Sequence, residues 1–141
     1  KVEKSRFAYE ERILRFFSFN DTYKTYNGKL ASFLNDYMGE HSKISKNDIE
    51  EYKDLFISTL KIANKLNKKP DSKNVLDAIL VGIAKNKDKL INKNEDEINS
   101  IYSDIMKLTE FSSNELKEGL GATDKVKRRI EKSIELFGRD W

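Results

Sequence analysis

A single proline, Pro70, lies among 141 residues whose apolar side chains return at intervals of three and four and almost never alternate. Proline fixes φ and removes a backbone donor, so a chain that nearly lacks it can run long helices without interruption. A repeat near 3.6 residues places the apolar positions on one face of each helix. The pattern predicts an all-α fold, a single-domain bundle of about five to seven helices across residues 1–141.

The first helix is expected over about Lys4 to Phe19, with Phe7, Ile13, Leu14, Phe16 and Phe17 around most of its circumference. A helix apolar on nearly every side is usually central. Asn20 and Asp21 should end it, with Tyr23 to Gly28 as a connecting turn. Leu30, Phe33, Leu34 and Tyr37 share one face of a second helix from Lys29 to Met38, for which Gly39 is the expected stop. Ser45 and Asp48 have the spacing of a cap for a third helix that continues to about Leu66. Beyond Pro70, Ser72 or Asn74 caps a fourth helix carrying Val75, Leu76, Ile79, Leu80 and Ile83. The polar run from Lys85 to Asn94 has room for a short turn at Leu90 and Ile91. Glu95, Asp96 and Glu97 favour the positive end of a fifth helix bearing Ile98, Ile101, Tyr102 and Ile105. Gly119-Leu120-Gly121 reads as a loop, and Thr123 as the cap of a last helix carrying Val126, Ile130, Ile134 and Phe137.

Few residues invite chemistry. With no cysteine, disulfides, thiolate zinc sites and cysteine nucleophiles are excluded. His41 is the only histidine; it has no evident metal or triad partners and reads as an exposed loop residue. Gly119 to Thr123 lacks the lysine of a phosphate loop and follows no strand, so a flexible connection is the better reading. Asn94 to Glu97 lacks the oxygen spacing of a calcium loop. No catalytic, cofactor-binding or metal-binding residue emerges, and no cofactor is expected.

The net charge of +3 and a pI near 8.9 are mildly basic. Such a total matters for an anionic partner only where the charge is clustered. Around the last helix Lys125, Arg128, Arg129, Lys132 and Arg139 gather in one sector, which reads either as a solvated face or as a nucleic-acid contact. Arg12 and Arg15 lie inside the aromatic first helix, where at least one must approach the core and needs an acidic partner, Asp36 or Asp77. Phe16, Phe17, Phe19, Tyr23, Tyr26, Phe33 and Tyr37 are expected to be mostly core.

Three stretches taken together resemble a known family. They are Ile13-Leu14-Arg15-Phe16 through Gly28 to Phe33-Leu34-Asn35-Asp36-Tyr37-Met38, then Asn74-Val75-Leu76-Asp77-Ala78-Ile79, then Val126 with Arg129-Ile130. In order and spacing they look like the helical region that follows the ParB/sulfiredoxin-like domain in GmrS- and GmrD-type restriction and anti-phage proteins. The resemblance implies a nucleotide-dependent bacterial system that cuts modified or foreign DNA, with its hydrolytic residues in an Asp-Gly-Gln-Gln-Arg motif of the preceding domain. This sequence contains no glutamine, so that motif has no counterpart in it. Only the helical motif carries over, onto Leu14, Arg15, Phe33, Leu34, Tyr37 and Met38, with Arg12 beside it.

The chain begins at Lys1 rather than methionine and is expected to be part of a larger cytoplasmic protein. It has no apolar run near the roughly 20 residues that span a bilayer, so no membrane partner is expected. The expected function is that of a non-catalytic accessory domain of a ParB-like defence protein. It would support the upstream ParB-like domain and contact DNA or a nuclease subunit. A self-contained helical protein-interaction module, or a weak nucleic-acid-binding domain using the last helix, remain as alternatives.

Overall fold

Side-chain caps set where several helices begin. In α3 (Lys46–Ala63) the Ser45 hydroxyl accepts from the Asp48 amide at 3.1 Å, and in α4 (Lys73–Lys85) Ser72 does the same for Val75 at 3.4 Å. α6 (Glu95–Met106) opens on a reciprocal pair, in which Asn94 accepts from the Glu97 amide at 2.9 Å and Glu97 accepts from the Asn94 amide at 3.2 Å. Each cap satisfies amides that the first turn of a helix leaves without partners.

The computed structural model describes residues 2–112 and 122–140, with side chains from Ala8 onward. Among these residues the fold is all-α, with seven α-helices and no strand. The remaining helices are α1 (Val2–Thr22), α2 (Leu30–Glu40), the one-turn α5 (Lys87–Leu90) and α7 (Thr123–Phe137). Short 3-10 turns follow α1 at Tyr23–Thr25 and α6 at Thr109–Phe111. Gly119 to Gly121, expected to form a loop, lies outside the described residues. No helix among the described residues is long and apolar enough to cross a membrane.

The most enclosed helix is α4. Every residue from Asp77 to Ala84 is buried, and the helix packs on α1, α3 and most extensively α7. The expectation of a central first helix therefore holds for only part of α1, where Arg15, Phe16, Ser18, Phe19 and Asn20 are buried. One contiguous apolar core joins Phe16, Phe19, Phe33, Ile62, Ile79, Ile83, Ile101, Ile130 and Phe137. At the α4/α7 crossing a Cβ on Gly82 would stand 2.0 Å from the Ser133 hydroxyl oxygen and 2.8 Å from its carbonyl carbon. Glycine is what allows these two helices to lie so close. Gly28 has φ +84°, and a Cβ there would meet the Thr123 hydroxyl at 2.9 Å.

Four expected boundaries shift. The first helix does not end at Asn20 and Asp21 but runs through both to Thr22. Gly39 does not stop α2, which runs to Glu40: its φ is not positive, so it behaves as an ordinary helical residue with open space where a Cβ would go. Thr123 is the first residue of α7 rather than its cap, and the capping position falls on Ala122, with no side-chain hydrogen bond. The third helix stops at Ala63, short of Leu66, which is nevertheless buried in the following turn. The turn at Leu90 forms as α5, with Leu90 fully buried.

Candidate functional site

Arg12 and Arg15 project from consecutive turns of α1 onto Asp77 of α4. Arg15 donates from Nε and Nη2 to Asp77 Oδ2 at 3.0 and 2.6 Å, and Arg12 Nη1 pairs with Oδ1. Arg15 is 4% exposed and Asp77 2%. Of the two acids the sequence allowed, Asp77 is the partner, while Asp36 is exposed on α2. Asn74 accepts from Arg15 Nη2 at 3.2 Å, and Glu11, 3.5 Å from Arg15 Nη1, is in turn 3.8 Å from Lys73 Nζ. Burial by itself lowers the Arg15 pKa, but hydrogen bonds and charge from Asp77 and Glu11 more than offset it and leave the pKa raised. The cluster is a clamp between α1 and α4.

A second carboxylate joins three helix ends. Asp21 near the end of α1 accepts from the Tyr37 hydroxyl of α2 at 2.5 Å and from the Tyr52 hydroxyl of α3 at 3.2 Å. His41 is stacked on Tyr37 with ring centres 3.9 Å apart; its Nδ1 is 2.9 Å from the Tyr37 carbonyl and its Nε2 4.0 Å from Asp21. The histidine is thus packed at the C-cap of α2 and not simply exposed in a loop. Burial, then the bond to Asp21, pushes the Tyr37 phenol far above its ordinary range. The described residues contain no group of three or more His, Asp and Glu side chains able to hold a metal.

Beside these tyrosines α1, α2 and α3 leave an open apolar groove of about 600 Å³. Ile13, Leu14 and Phe17 of α1 form one wall, Tyr37 and Met38 of α2 a second, and Ile49, Tyr52 and Phe56 of α3 the third; Glu10 and Lys53 also line it. Phe17 meets Tyr52 edge to face at 5.1 Å, which fixes the ring positions. Met38 is 49% exposed and Ile49 48%. On the other flank of Met38 a second groove of about 530 Å³ is lined by Leu14, Leu30 and Leu34. Phe33, Leu34 and Tyr37 are buried as expected, but Met38 stands between two grooves instead of packing in the core.

Of the five basic residues expected in one sector of the last helix, Arg129 turns inward and Arg139 lies beyond the helix end. Arg129 is 1% exposed, whereas Arg128 is exposed and Lys125 half-buried. Around the helix Arg129 stands about 60° from Val126 and about 40° from Ser133, both buried, so it belongs to the edge of the inward face. Lys132 is 3.5 Å from Glu135, and Arg139, beyond the helix end, bonds Asp104 of α6 at 2.6 Å. Arg129 is therefore internal, and Arg139 is held at the surface by its ion pair with Asp104. A helical wheel also could not register the lysines of the α3–α4 connection, because they lie mostly on a loop. Residues Lys61 to Lys73 contain five lysines and one acid, a density readable from the sequence alone.

No family model matches this chain, and neither a curated protein nor a solved structure matches it significantly.

Proposed function

We propose that the chain is a non-catalytic helical accessory domain of a ParB-like restriction or defence protein, and that the grooves flanking Met38 form the face on which it docks against the ParB-like domain. One observation supports the reading above others. Leu14, Leu34, Tyr37 and Met38, four of the residues that carry the resemblance, line the two adjoining apolar grooves, and Met38 is 49% exposed. Isolated exposed apolar residues are ordinary, but a contiguous apolar hollow rimmed by charge is a feature of interaction surfaces. Asp77 accepts from Arg15, and Asp21 from the Tyr37 and Tyr52 hydroxyls, which favours a positioning role for these two carboxylates. The test is titration of the chain with the ParB-like domain produced as a separate polypeptide. The docking account expects a saturable complex that is weakened by Met38→Glu; hydrolysis of nucleotide by the chain alone would contradict the non-catalytic assignment.

A further inference from the structure

Residues 61–73, from the last turn of α3 through the connection to the first residue of α4, carry a net charge of +4. Lys61, Lys65, Lys68, Lys69 and Lys73 face only Asp71 within this stretch, against a net charge of +3 for the whole sequence, so the rest of the chain has no net positive charge. The connection is also pinned. The Asn67 amide donates to Asn99 Oδ1 of α6 at 2.9 Å, and Asn99 Nδ2 returns a bond to the Lys65 carbonyl at 2.9 Å. Lys65 Nζ in turn donates to the Lys93 carbonyl at 2.8 Å. Lys65 is thereby spent on structure, and Lys73 lies 3.8 Å from Glu11.

Lys68 and Lys69 of this loop and Lys107, just past α6, remain. All three are exposed and line one depression of about 450 Å³. Among the described residues none of the three has a carboxylate within ion-pair reach, and Lys61, exposed on α3, does not line the depression. Asp71 lines the same depression and partly offsets the lysines; burial and then its charge raise the pKa of the Tyr102 phenol there. The Tyr102 ring is buried and offers no face on which a base could stack. The lysines come from two elements, and an ammonium is a point charge with no planar fork. That combination suits successive phosphates along a backbone better than one nucleotide with its base.

We propose that this depression binds the phosphate backbone of double-stranded nucleic acid without reading sequence, with Lys68, Lys69 and Lys107 each engaging a phosphate. The proposal is independent of the groove and of the docking role. It is tested by fluorescence anisotropy of a short labelled DNA duplex titrated with the chain at rising salt. Three neutralised phosphates give a slope of about −2.7 in log K against log salt. The double reversal Lys68→Glu with Lys69→Glu should weaken binding more than about tenfold and bring the slope to about −0.9. Asp71→Asn should tighten it, while Lys125→Glu with Arg128→Glu on α7 should leave it unchanged. Circular dichroism checks that the variants stay folded. The proposal is overturned if no duplex binds at low salt, if the α7 variant loses binding and the loop variant keeps it, or if inorganic phosphate or a mononucleotide competes at concentrations equal to the duplex.

Discussion

Arg15 and Asp77 are 62 positions apart in sequence and form a buried, doubly hydrogen-bonded ion pair that fixes α1 against α4. Such a pair adds little over a well-packed apolar replacement, but removing one member strands the other charge in the interior. Asp77→Ala leaves two arginines facing a vacated site and should cost about 3–5 kcal/mol. The double variant Arg15→Met with Asp77→Leu should cost clearly less than the two single changes together. Urea unfolding of the four proteins measures this; additive losses would mean that the two residues do not act as a pair.

Gly82→Ala sets two effects against each other. Alanine gains up to about 1 kcal/mol of helix propensity in mid-helix. Its methyl group, however, would enter Ser133, including backbone that cannot rotate away. Overpacking of this kind costs roughly 1–3 kcal/mol or more, so α4 and α7 should separate and net stability should fall. A lower thermal midpoint is expected, and an unchanged or higher one would show that the crossing yields easily.

Tyr23, Tyr26, Tyr37, Tyr52 and Tyr102 all have raised pKa values in the fold, chiefly through burial. In each the folded state favours the neutral phenol. An unfolded tyrosine loses its proton near the ordinary value of 10.0. The stability they contribute is therefore fully present below about pH 9 and declines as pH rises through and beyond about 10. Denaturant midpoints should fall steeply on the alkaline side, and tyrosinate absorbance should rise together with unfolding. Tyr37→Phe should flatten that decline, while losing a hydrogen bond to a carboxylate worth about 1.5–3 kcal/mol at neutral pH.

The helices were legible because their signals are local. Ser45 and Ser72 marked two starts through hydroxyls that accept from nearby amides, the acidic run from Glu95 marked a third through its charge, and the apolar spacing gave the buried faces of α2, α4 and α6. What escaped depends on contacts between distant segments. Arg129 sits at a boundary of the helical wheel, and only the packing of α7 against α4 decides that it turns inward. Met38 follows the helical repeat of its neighbours, yet α1 and α3 leave its flank open. Asp77 was within reach of inference as one of two acids, but choosing it over Asp36 required the α1–α4 contact. The lysine-rich connection was visible in composition and missed because helical periodicity has no meaning in a loop.

The proposed docking of the groove on a ParB-like domain is tested most directly by calorimetric titration of such a domain, produced separately, with this chain and with Met38→Glu. Met38 is half exposed, so the substitution should change folding stability by no more than about 0.5 kcal/mol. A buried charge at the centre of a docked interface should weaken the complex more than about tenfold. Binding lost with folding stability intact is the predicted result. Equal affinity for the two chains, or no complex with either, would contradict the account.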